Sequence, residues 1–133
     1  MAIEELAGVL DARARLDPAV LGDAETVVAL QRELERLAAV TTRAVAAFDA
    51  GRAWEADGAR TASAWLAVRC RLPQESARRR VRLGRALRHM PGVEAAWLAG
   101  EIGEAHVRLL AGARTPATAE CFARDESMLV GQA

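Results

Sequence analysis

The sequence predicts an all-α protein, a multi-helix bundle with one long helix near its start and two helix-turn-helix-like hairpins after it. Two observations carry this. No segment shows the period-2 alternation of β-branched residues that marks strands. Ala, Leu, Arg and Glu dominate, and these are the strongest helix formers. The chain has 133 residues, 52% of them hydrophobic and 27% charged, as in soluble globular proteins. Lys, Asn and Tyr are absent and all 18 basic residues are Arg, a bias that suggests a high-GC genome. It reads as a single domain over 1–133, a short or truncated version of a longer helical domain, with residues 1–23 as an N-terminal helix and linker.

The elements follow in order. A first helix is expected over about residues 2–15, with Ile3, Leu6 and Leu10 on one face. Leu16-Asp17-Pro18 ends it. Asp23 then caps a long helix over about 24–50. Val27, Leu30, Leu34, Leu37, Thr41, Ala44 and Phe48 recur along it at alternating steps of 3 and 4, a heptad-like stripe. The stripe is assigned to the bundle core, since it includes Thr41 and Ala44; a dimer seam is the alternative. Gly51 is the expected C-cap.

Thr61 caps the next helix, Ala62 to about Arg71, and the turn Cys70-Arg71-Leu72-Pro73 separates it from a helix over about 74–90. This pair forms the first hairpin, 62–90. The second, 93–113, comprises Val93–Ala99, the turn at Gly100–Gly103, and Glu104–Ala113 with Ala105, Leu109 and Leu110 inward. Thr115-Pro116 starts a last helix, about 117–131, whose large apolar residues Phe122, Met128, Leu129 and Val130 cluster toward its end. Trp54, Trp65 and Trp97 read as core anchors rather than a ligand cage.

Net charge is zero but segregated. Residues 1–59 hold 6 Arg and 11 acids, residues 60–90 hold 9 Arg and one acid (Glu75), and residues 91–133 hold 3 Arg and 6 acids. Either the acidic helices pair with the basic one, or the basic stretch faces a polyanion. At 100° per residue, Ala77, Val81, Leu83, Gly84, Leu87 and Met90 fall on one broad arc of the helix after Pro73. Arg78, Arg82 and Arg85 lie opposite with His89, and Arg79 flanks them. Such a row is spaced to meet phosphates along a groove. The second helix of a helix-turn-helix is the one that enters the major groove. The basic helix has no aromatic residues to stack on unpaired bases, which disfavours single strands. Arg80 points into the apolar arc, where an unpaired charge is costly. Pairing with an acid of the preceding loop, such as Asp57, is expected.

Enzyme chemistry is not indicated. There is no Gly-rich phosphate loop and no Lys to complete one. Ser63, Ser76 and Ser127 lack a nucleophile-elbow context. Cys70, His89, His106 and Cys121 lack zinc-ligand spacing, and the two Cys read as small buried apolar side chains. Glu33 and Glu35 are placed on a solvated face, Glu104 beside a helix N-terminus, and His106 in the interior with a hydrogen bond. No cofactor, metal or small-molecule ligand is indicated. No apolar run approaches the roughly 20 residues of a membrane span. The start Met1-Ala2-Ile3-Glu4-Glu5 lacks signal-peptide features, so a cytoplasmic location is expected.

Phe48-Asp49, Gly51-Arg52-Ala53-Trp54 and Asp57-Gly58-Ala59-Arg60-Thr61 form a pattern with later segments. Those are Ala64-Trp65-Leu66-Ala67, the run Glu75 to Leu87, and Ala99-Gly100-Glu101-Ile102-Gly103-Glu104-Ala105-His106-Val107-Arg108. Together they resemble the actinobacterial 13E12 repeat family, also called domain of unknown function 222, over residues 24–131. The resemblance implies an all-α accessory domain of the kind that commonly precedes an HNH nuclease in mobile-element-associated loci. The nuclease does not carry over: Asn is absent, and His89 and His106 sit in separate hairpins without acidic ligand clusters.

The expected function is therefore a non-catalytic helical module that binds double-stranded DNA through Arg78, Arg79, Arg82 and Arg85. The alternatives are a structural or oligomerisation domain, dimerising through the long helix or the C-terminal helix, or an inactive remnant.

Overall fold

A computed structural model describes residues 3–113. The expected helix at 117–131 and Cys121 lie outside the described residues. All regular elements described are helical: α1 (Glu4–Ala14), α2 (Ala24–Ala50), α3 (Ala62–Arg69), α4 (Gln74–Leu87), α5 (Pro91–Leu98) and α6 (Glu104–Ala113). Short 3-10 turns occupy Pro18–Leu21 and Ala53–Asp57. The chain divides into two compact units at Gln31–Arg32. None of these helices is long and apolar enough to cross a membrane.

The first unit holds α1, the Pro18 turn and the start of α2. Asp17 accepts from the Ala19 N–H at 3.0 Å, and Asp23 from the Thr26 N–H at 3.0 Å, so each start is capped by its own Asp. α1 buries no residue. Ile3 and Leu10, expected on an inward face, are exposed, and Leu6 is half-buried.

The second unit is organised around α4. Its N-terminal half supplies Ala77 and Val81 to a cluster with Val45, Trp54, Ala62 and Leu66. Its C-terminal half, with Met90, supplies Leu83 and Leu87 to a cluster with Ala39, Val93, Ala96, Trp97, Ile102, Val107 and Leu110. All six residues of the expected apolar arc are buried. Opposite turns of one helix thus seat both hairpins, and its remaining face is left to Arg.

The stripe on α2 is not the buried face. Val27, Leu30, Leu34, Thr41 and Ala44 are exposed, whereas Ala39, Thr42 and Val45 are buried. Size decides this. A Cβ at Gly84 of α4 would stand 3.0 Å from the Ala46 Cβ and 3.3 Å from the Thr42 carbonyl oxygen. The two backbones approach closely only where α2 presents small residues. Phe48, at the end of the stripe, does pack inward, 4.5 Å from the Trp65 ring.

Backbone caps set the hairpins. Thr61 Oγ1 accepts from the Ala64 N–H at 3.1 Å and starts α3 as expected. The turn to α4 places Arg71 at φ 54°, and Leu72 N–H returns to the Ala67 carbonyl at 3.1 Å, a Schellman closure with Arg where Gly is usual. The same substitution ends α2, where Arg52, not Gly51, takes the left-handed conformation at φ 54°. Arg52 then pairs with Glu55 and lies over the Trp54 ring.

The α5–α6 turn closes in the same way with Gly100 at φ 78°. Glu101 N–H bonds to the Ala96 carbonyl at 2.9 Å and Gly100 N–H to the Trp97 carbonyl at 3.0 Å. One stretch of α2 holds this turn from outside. Arg32 donates to the Ala99 carbonyl (2.8 Å) and Arg36 to the Leu98 carbonyl (3.0 Å), satisfying groups that α5 leaves open. Glu35 accepts from the Glu104 N–H at 2.8 Å, at the N-terminus of α6. Cations meet the negative end of one helix and an anion the positive end of the next. Glu35, expected on a solvated face, is a half-buried cap. This register turns Leu110 inward as expected, but with Val107 beside it, and leaves Ala105 and Leu109 exposed, against the expectation for those two.

Candidate nucleic-acid interface

α4 projects Arg78, Arg82 and Arg85 away from both clusters, and all three are exposed, with His89 just beyond the helix end. Arg79 is half-buried at the edge facing α6. The row is not uniformly free. Among the described residues Arg78 makes only a 3.4 Å contact to Gln74 Oε1, one turn back. Arg82 donates to Glu75 Oε1 at 2.8 Å, with both side chains about 60% exposed. Arg85 grips Asp49 of α2 with two bonds, Nε to Oδ2 at 2.8 Å and Nη2 to Oδ1 at 3.0 Å. The Asp49 side chain is only 9% exposed. Arg79 makes no hydrogen bond or ion pair with a described residue.

The charges respond accordingly. Arg85's hydrogen bonds hold the Asp49 carboxyl below its ordinary 3.8, helped by the charges of Arg85 and Arg88 and opposed by burial. Asp49 in turn raises the Arg85 pKa. Glu75 is lowered chiefly by the bond from Arg82, with Arg82, Arg78 and Arg79 adding their charge.

Two other basic residues are structural. Arg80 is held by Glu104 Oε1 at 2.8 Å and Thr42 Oγ1 at 2.7 Å, not by Asp57 as expected. Asp57 is occupied by Trp65 Nε1 at 2.8 Å and Arg69 at 3.3 Å. The α6 N-terminus lies beside α4, so its acid reaches the inward Arg first. Arg88 donates to the Ala46 carbonyl at 3.0 Å. Of the Trp residues, Trp97 and Trp54 are buried and Trp65 is half-buried beneath Arg69.

Cys70 is exposed at the C-cap of α3 rather than buried. His106 is half-buried, with no hydrogen bond to a described residue. Among the described residues, no three His, Cys, Asp or Glu gather closely enough to hold a metal ion.

The model of one family, "Domain of unknown function (DUF222)", matches residues 24–128. The chain belongs to the DUF222 family. Its matched region begins with α2 and includes both hairpins, so the elements that carry the Arg row are DUF222 elements. No curated protein and no solved structure matches the chain.

Proposed function

We propose that this DUF222 chain is a non-catalytic accessory module that binds double-stranded DNA through α4, in the nuclease-associated setting that the family resemblance implies. The observation that carries the reading is the split of α4 into a buried apolar arc and an outward face bearing Arg78, Arg82 and Arg85. α4 is also the second helix of its hairpin, the element that enters the major groove in helix-turn-helix proteins.

The test is fluorescence anisotropy of a labelled duplex across a salt series. Arg85 is shared with Asp49, so Arg78, Arg79 and Arg82 provide the phosphate contacts. At about 0.9 per neutralised phosphate, the log-log slope should lie near −2 to −3. R78A/R79A/R82A should remove that slope while keeping the helical circular-dichroism signal. Absence of binding at low salt in the parent chain would remove the reading.

A second expected result isolates the latch on Arg85. D49N frees this guanidinium, so duplex affinity should rise and the slope steepen by about 0.9. The same variant should lose acid-dependent stability. Asp49 has a lowered folded pKa, so its contribution is complete above about pH 5 and fades as pH falls through the folded value. D49N should flatten that part of the pH–stability curve; an unchanged curve would show that the latch contributes nothing.

An oligomerisation role is the second reading. Val27, Leu30 and Leu34 are exposed and keep the 3–4 spacing of a coiled-coil seam. It requires a concentration-dependent dimer in sedimentation and no duplex binding.

A further inference from the structure

We propose that the groove between α4 and α6 binds a phosphate monoester on a small, partly apolar body, of the size and charge of a mononucleotide. The groove encloses about 340 Å³, at the small end of ligand sites and far too small for a duplex. Arg79 and Arg82 come from α4 and Arg108 from α6; Leu83 and Ala86 supply apolar surface, and Glu75 is the one acid among the described lining residues.

Among the described lining residues the charges do not balance: three are Arg and one is Glu, and of the three Arg, Arg82 is the one paired with that Glu. Arg79 is half-buried and Arg108 exposed, and neither makes a hydrogen bond or ion pair with a described residue. Like charges that converge on a partly desolvated groove repel one another, and a bound anion removes that cost. The surplus is two positive charges. A phosphate monoester carries about −1.5 to −2 at neutral pH, whereas each backbone phosphodiester carries one. The guanidinium fork also fits phosphate oxygens in pairs. The apolar wall gives the rest of the ligand a surface that solvent contacts poorly.

The site shares Arg79 and Arg82 with the proposed DNA face, but Arg108 belongs to it alone, so the two readings separate experimentally. Isothermal titration of the full chain with 5′-AMP, inorganic phosphate and adenosine tests it at low salt. AMP and phosphate should bind one to one and adenosine should not. R79A and R108A should each weaken AMP about tenfold or more, and E75Q, which removes the competing carboxylate, should strengthen it. Binding should weaken from about pH 7.5 to pH 5.5, across the monoester's second ionisation near 6.

R108A should leave the duplex salt slope intact, while R78A, outside the groove lining, should lower it by about 0.9 and leave AMP binding unchanged, so either reading can fail alone. A duplex with a 5′-phosphate, compared with its 5′-hydroxyl form, identifies the source. Tighter binding of the phosphorylated end, lost in R108A, assigns the site to DNA ends; equal binding of the two duplexes with AMP still bound assigns it to free nucleotide. No binding of AMP or phosphate at about 10 mM, where even a millimolar site fills, would overturn the proposal, as would equal AMP affinity in R108A.

Discussion

Trp97→Ala should cost about 3–5 kcal/mol, the range for deleting a large buried aromatic. Trp97 is fully buried, in the cluster that joins α2, α4, α5 and α6. Folded domains hold only about 5–15 kcal/mol in reserve, so this one change should remove about a fifth of the stability or more. The loss comes from packing: the buried Trp97 Nε1 has no hydrogen-bond partner among the described residues. Trp97→Phe should therefore be far milder, since it trades lost volume against an unsatisfied donor. Urea denaturation followed by circular dichroism measures both. A Trp97→Ala loss under about 1 kcal/mol would mean that the cluster collapses around the gap. Trp65→Ala should cost less, because its ring is half-exposed and its main polar tie, to Asp57, lies at the surface.

What could be read from the sequence depended on residue size and on distance along the chain. The α4 face was legible because its apolar residues are large and its other side is crowded with Arg. The α2 face was not, because its closest approach to α4 is made by Thr42 and Ala46 at Gly84, which hydrophobicity ranks below Leu30 and Leu34. The α5–α6 face was misread for a related reason. Its rotation is set by Glu35 reaching the Glu104 N–H across 69 positions, which no local period contains. Left-handed Arg52 and Arg71 occupy turn positions where a sequence reading looks for Gly. For the candidate site, charge segregation was visible but its distribution was not. Which guanidiniums remain free depends on Asp49, 36 positions from Arg85, and on the α6 N-terminus. The pairing of acidic helices with basic ones holds for Arg80 and Arg85, and leaves Arg78 and Arg79 outside it.

Arg80→Met should destabilise the protein by about 2–3 kcal/mol. An exposed ion pair contributes about 0–1 kcal/mol, and breaking a fully buried one costs about 3–5. The Arg80 and Glu104 side chains are 25% and 24% exposed, between those limits. Methionine fills most of the volume, so the loss isolates polar groups rather than packing. Two acceptors lose their donor: the Glu104 carboxylate and the Thr42 hydroxyl, whose own proton goes to the Ala38 carbonyl at 2.8 Å. Glu104 lies in the first turn of α6, where the helix dipole favours a negative charge. R80M/E104Q should recover most of the loss, and the double-mutant cycle should give a coupling above about 1 kcal/mol. An R80M loss below about 0.5 kcal/mol would class the pair with ordinary surface contacts. The duplex salt slope of R80M, measured where the variant remains folded, should equal that of the parent. This arginine belongs to the interior of the fold, and the reading of α4 as a DNA face requires that only its outward neighbours meet phosphate.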